Sequence, residues 1–159
     1  MLTAPKGKTP TIMVAGKRLS LNIISAVSAV GKMFYSTSLE SIKIDSFISF
    51  MRQLVNRSSR KVFLVVDNLR AHHSIKVAEW LEKYQDKIEI FYLPPYSPEL
   101  NPDEYLNNIL KGELSKLPQP HKQDDLNANV HKILSGVQKN PQKIINIYRH
   151  EKVGYAKGN

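Results

Sequence analysis

Val62-Phe63-Leu64-Val65-Val66, followed at once by Asp67 and Asn68, constrains this chain more than any other stretch. An unbroken apolar run rich in β-branched residues is the pattern of a strand buried on both faces. This strand ends on a charge. A helical pattern follows from Ser74, with Val77, Ala78, Leu81 and Tyr84 on one face and Lys76, Glu79, Glu82 and Lys83 on the other; a second extended run spans Ile88 to Leu93. Strand, helix, strand predicts an α/β domain with a parallel, right-handed crossover. A rigid loop comes next, Pro94-Pro95-Tyr96-Ser97-Pro98-Glu99-Leu100-Asn101-Pro102, and it delivers Asp103 and Glu104 to the first turn of another helix. One carboxylate at the end of a central strand and another at a helix start can meet at one edge of a sheet.

Each of these acids also has a plainer reading. Asp67 fits a turn or a helix N-cap, although a carboxylate closing so apolar a strand is costly to bury without partners. Asn101 as N-cap, Pro102 at the first helical position and Glu104 at the third spell a capping box. The two roles are compatible, because a helix N-terminus also favours the ionised carboxylate that a hard cation requires. His72 and His73 fit a ligand pair or a base, but adjacent side chains at a helix start diverge, and solvent-facing or structural roles are the default. Asp45 reads as part of a helix cap. Trp80 reads as packing.

The remaining chain supplies scaffold. Its 159 residues suit one ordinary domain with a real core, and 42% hydrophobic against 23% charged residues excludes disorder. No apolar run reaches a membrane span, no signal-peptide order opens the chain, and the absence of cysteine excludes disulfides and thiolate metal sites. A reducing, cytoplasmic location fits. Lys plus Arg 23 against Asp plus Glu 14 gives a net charge of +9, which favours a polyanion partner through counterion release. The basic start, Lys6-Gly7-Lys8 to Arg18, surrounds a short edge strand at Ile12-Met13-Val14. Leu19 to Val30 and Met33 to Ser36, joined at Gly31-Lys32, predict a β-hairpin. Asp45 or Ser46 then caps an amphipathic helix marked by Phe47, Phe50, Met51 and Leu54. Later helices are marked by Leu106, Ile109, Leu110 and Leu114, by Leu126, Val130, Ile133, Leu134 and Val137, and by Ile144, Ile145 and Tyr148. Residues 1–150 are expected to form a single domain, and 151–159 a flexible basic tail.

Together these elements resemble the DDE-type transposase domain of the mariner-like transposases and their bacterial insertion-sequence relatives, which share the ribonuclease-H-like fold with retroviral integrases. The resemblance is carried by Val65-Val66-Asp67-Asn68, by His72 and Ser74, by the proline block from Leu93 to Glu104, and by Lys111. It implies a mixed sheet, an N-terminal hairpin plus parallel strands, flanked by helices and followed by a helical C-terminal region. It also implies that Asp67 is the second carboxylate of a catalytic triad and Glu104 the third. In the family the first Asp ends a strand upstream of the lysine-glycine segment, and this chain begins just before that segment. The first strand and its Asp are therefore expected to be missing, and the domain partial. Asp45, at a helix cap, does not replace it. Two further departures are Asn107, where many members carry Trp, and Asp103, where an apolar residue is more usual.

The activity implied is DNA cleavage and strand transfer in transposition, with in-line attack at a phosphodiester assisted by two Mg²⁺ (or Mn²⁺) ions about 3.5 to 4 Å apart. With Asp67 and Glu104 alone the expectation is weak binding of a single ion and no activity of the chain by itself; the alternative is a non-enzymatic DNA-binding remnant. DNA is the implied partner, with transposon ends and target, in the cytoplasm and at the nucleoid. By analogy a homodimer is also implied, as is a separately encoded N-terminal transposase segment.

Overall fold

A computed structural model describes residues 2–4, 11–14, 17–68 and 70–157. The basic segment Lys6 to Pro10, Ala15-Gly16 within the same basic start, and the final Gly158-Asn159 lie outside the described residues. Seven strands are described: β1 (Leu2–Ala4), β2 (Thr11–Val14), β3 (Lys17–Ser20), β4 (Asn22–Ser28), β5 (Met33–Ser38), β6 (Val62–Val66) and β7 (Ile88–Tyr92). Five helices accompany them: α1 (Ile44–Arg57), α2 (Ile75–Lys83), α3 (Pro102–Ser115), α4 (Gln123–Gln138) and α5 (Pro141–Ile147).

The main sheet runs in the order β5-β4-β1-β6-β7. The hairpin β4–β5 is antiparallel, β1 runs antiparallel to β4 and parallel to β6, and β6 and β7 are parallel, as the crossover through α2 predicts. This is the mixed sheet expected. Where the sequence led us to expect a missing first strand, the three-residue β1 fills the central position, with Ala4 level with Val66, the residue before Asp67. Its residues, Leu2, Thr3 and Ala4, include no carboxylate. The nearly continuous apolar run from Leu19 breaks at Leu21 into β3 and β4, and β3 pairs with β2 in a separate two-stranded ribbon.

Alternation along β4 sorts the core into two layers. Ile24 and Ala26 face α1 and α2, joining Phe47, Met51, Leu54, Leu64, Val66 and Val77. Ile23 and Val27 face the C-terminal helices, joining Leu106, Leu110, Leu126, Val130, Leu134 and Ile144. The hairpin turn needs Gly31, whose φ of +84° is in the left-handed region and whose missing Cβ would lie 2.7 Å from the Pro141 Cβ.

Two local expectations are corrected. α1 is capped from Lys43, whose N–H donates to the Ser46 Oγ at 2.7 Å, so neither Asp45 nor Ser46 is the N-cap; Asp45, in the first turn, pairs with Lys76. Ser74 does cap α2, accepting from the Val77 N–H at 3.3 Å. The stretch from Glu151, expected to be a flexible tail, is a 3-10 helix as far as Lys157. Val153 and Ala156 are buried in it, and the Tyr155 hydroxyl donates to the Leu100 carbonyl at 2.6 Å. Apolar residues every third position give a 3-10 turn one buried edge, which the loss of the lysines to solvent does not oppose. No helix among the described residues is long and apolar enough to cross a membrane.

Candidate active site

The C-terminal ends of β6 and β7 and the start of α3 enclose a cleft of about 810 Å³, lined by Asp67, Asn68, Arg70, His73, Tyr96 and Glu104 together with the prolines of the loop. The central expectation was that Asp67 and Glu104 would meet at one sheet edge. They line the same cleft.

Asp67 is placed by β6, whose last residue is held by the Leu93 N–H, which donates to the Val66 carbonyl at 2.8 Å. Just after it the chain turns through a 3-10 segment, Arg70–His73, and here the two histidines diverge. His72 is buried, 5% exposed, and stacks on Phe47 with ring centroids 4.4 Å apart. Its Nδ1 lies 2.8 Å from the Asp67 carbonyl oxygen and 3.3 Å from Asp67 Oδ1. Since a carbonyl only accepts, Nδ1 carries the proton. Burial lowers the His72 pKa, outweighing the pull of the Asp67 carbonyl and carboxylate in the other direction. The neutral ring is thus a prop beneath the Asp67 main chain. His73 is exposed, stacks on Tyr92 with centroids 4.0 Å apart, and contacts the Asn68 side-chain oxygen at the cleft.

Glu104 is placed by the proline loop and by α3. Asn101 is the N-cap, its side chain accepting from the Asp103 N–H at 3.1 Å, and Pro102 takes the first helical position. The Asn101 N–H donates to the Pro98 carbonyl at 3.0 Å, so the cap amide serves the loop's own turn. Tyr96, at the middle of the loop, has a φ of +57° and a fully exposed ring; no other described non-glycine residue has positive φ.

One feature of the site was missed in the sequence. Asp103 is fully buried at 0% exposure, and its two carboxylate oxygens share the Ser25 hydroxyl at 2.8 and 3.0 Å. The signal was present: Asp103, Leu106, Asn107 and Leu110 recur at i, i+3, i+4 and i+7, so Asp103 stands on the buried stripe of α3 and Glu104 stands off it. Asp45 lies away from the cleft, and Trp80 packs between α1 and α2 as expected. Among the described residues no three His, Cys, Asp or Glu side chains are grouped so as to hold a metal ion.

Residues 2–127 match the family model described as DDE superfamily endonuclease. The chain belongs to that family. Its fold is similar to the catalytic domain of Mos1 mariner transposase, with a TM-score of 0.63 at 15% identity over 99% of this chain and 83% of that one. The same domain with raltegravir and Mg matches with a TM-score of 0.63 at 15% identity, and with raltegravir and Mn with 0.64 at 14%; each match covers 99% of this chain and 84% of that one. The catalytic core domain of BIV integrase matches with a TM-score of 0.55 at 16% identity, over 94% of this chain and 97% of that one. No curated protein matches the chain in sequence. This DDE endonuclease domain thus has the ribonuclease-H-like architecture of transposase and integrase cores.

Proposed function

We propose that Asp67 and Glu104 are the metal-binding carboxylates of a transposase domain that cleaves and joins DNA, and that the site they form in this chain holds a single divalent ion weakly. The observation that carries the reading is their convergence on one cleft from separate parts of the chain, a strand end and a helix start. All-oxygen ligands suit Mg²⁺ or Mn²⁺, and the N-terminus of α3 favours the ionised form of Glu104. The Mos1 domain structures with Mg and with Mn support divalent metal use.

An ion held by Asp67 and Glu104 would supply Lewis-acid polarisation of a phosphodiester oxygen. The chain's own residues do the rest. Asp67 and Glu104 supply oxygen ligands, and His72 fixes the main chain from which Asp67 projects. Arg70 and His73, on the same cleft, supply N–H donors to a phosphodiester, and the guanidinium suits phosphate geometry. The net charge of +9 adds long-range attraction for DNA.

Asp67 and Glu104 are the two carboxylates among the described residues that line the cleft, and β1, beside β6, carries Leu, Thr and Ala. Two carboxylates leave a second ion without ligands, and Mg²⁺ binds tightly only with a full oxygen shell. The chain alone is therefore expected to be inactive, its partners being DNA, a second copy and a polypeptide supplying the third carboxylate.

The test is a calorimetric Mn²⁺ titration of the wild type, Asp67→Asn and Glu104→Gln, with a supercoiled-plasmid nicking assay on the same samples. Binding by the wild type, weakened at least about tenfold in each variant and accompanied by no nicking, is expected. Binding indifferent to both substitutions would remove the metal site. EDTA-sensitive nicking by the wild type would overturn the claim of inactivity.

A further inference from the structure

We propose that Asp103 is a positioning residue for Glu104: by accepting the Ser25 hydroxyl it pins the first turn of α3 to β4 and holds Glu104 toward the cleft. This deepens the metal-site reading above and rests on it.

An acidic residue in the first turn of a helix is already favoured by the helix dipole and has no need of burial. Asp103 is nonetheless fully buried, and removing a carboxylate from water is costly unless specific polar partners meet it. Ser25 is such a partner. It is itself buried, stands in the middle of β4 on the face shared by Ile23 and Val27, and places its Oγ 2.8 Å from Oδ1 and 3.0 Å from Oδ2. An apolar side chain at this position would pack without the cost. What the pair adds is orientation.

The need for it follows from where the apolar contacts of α3 begin. Leu106 and Leu110 fasten the second and third turns, and both lie C-terminal to Glu104. The turn that carries Glu104 buries Pro102 and Asp103 and half-buries Tyr105, and of these Asp103 alone is tied by a side-chain hydrogen bond to the middle of β4. Successive helix residues point about 100° apart. Fixing Asp103 on β4 therefore fixes the direction of Glu104, and the Asn101 cap, which accepts from the Asp103 N–H, closes the same turn from the loop side.

The experiment is Mn²⁺ calorimetry on the full chain and its Ser25→Ala, Ser25→Cys and Ser25→Thr variants, below their melting temperatures, with a thermal melt of each sample. Ser25→Ala and the near-isosteric Ser25→Cys are expected to bind Mn²⁺ about tenfold more weakly while folded, the loss typical of removing support behind a metal ligand. Ser25→Thr, which keeps the hydroxyl, is expected to stay near the wild type. Wild-type affinity in Ser25→Cys or Ser25→Ala, with only the melting temperature lowered, overturns the inference, because a merely structural pair moves stability alone. Asp67→Asn and Glu104→Gln separate the two claims. If both lose binding and Ser25→Ala does not, this inference fails and the metal site stands; if wild-type binding survives both, the site reading fails and this inference fails with it.

Discussion

Asp67 ends a strand and is propped by His72, a residue five positions along the chain, whereas Glu104 opens a helix whose first turn is tied to β4 by a pair 78 positions apart. The two carboxylates share a cleft but not a means of support. For Asp67, strand, turn and prop belong to one continuous segment, and the core under it is the α1–α2 layer. For Glu104, loop, cap, strand and the C-terminal 3-10 helix all contribute, through Asn101, Ser25 and the Tyr155 contact to Leu100. A local support survives whatever happens to the far layer. A long-range one depends on the whole layer being docked.

Substitutions on the two sides should therefore differ in size and reach. The largest effect is expected from His72→Ala, which empties the space against Phe47 and removes the prop under Asp67. A loss of about 2 to 4 kcal/mol of stability, read by denaturant unfolding, is the range for truncating a buried ring or large side chain. An unchanged midpoint would show that His72 is not a support. Asn101→Ala acts on the other side and takes away one capping hydrogen bond, for a loss of about 1 kcal/mol in the same measurement. A loss as large as that of His72→Ala would mean that the α3 side depends on its cap far more than on Ser25.

The smallest effect is the pH dependence that His72 imparts. Its pKa is lowered in the folded chain by burial, so between the ordinary value of 6.5 and the folded one the unfolded chain binds more protons. This contribution is present above 6.5 and is lost as pH falls through the folded pKa. The melting temperature should accordingly be lower at mildly acidic pH than at neutral pH, and the difference should shrink in His72→Phe. An equal difference in that variant would assign the pH dependence elsewhere.

The same contrast explains what the sequence could and could not reveal. The β6 strand, the crossover through α2, the β4–β5 hairpin, the start of α2 near Ser74 and the cap at Asn101 were legible because each is written in contiguous residues with a local physical cause. The meeting of Asp67 and Glu104 at one cleft was legible for that reason as well. His72 was visible as a residue but not as a prop, since its stacking on Phe47 joins two elements far apart in sequence. Ser25 gave no signal by itself; a serine within an apolar strand is common, and only docking of α3 supplies its partner. Asp103 did carry a signal, the polar residue on an apolar stripe, but the capping pattern around it offered a sufficient local explanation. The 3-10 helix from Glu151 was hidden by its lysines and glycine, which resemble a frayed end until Val153 and Ala156 find the core.

The central claim is that Asp67 and Glu104 share one ion, and paramagnetic broadening by Mn²⁺ in amide proton–nitrogen spectra tests it most directly. At sub-stoichiometric Mn²⁺ the account predicts simultaneous loss of the signals of Asp67, Asn68, Glu104 and Tyr105, reversed by excess Mg²⁺. Broadening confined to one of the two segments, or centred away from the cleft, would contradict it.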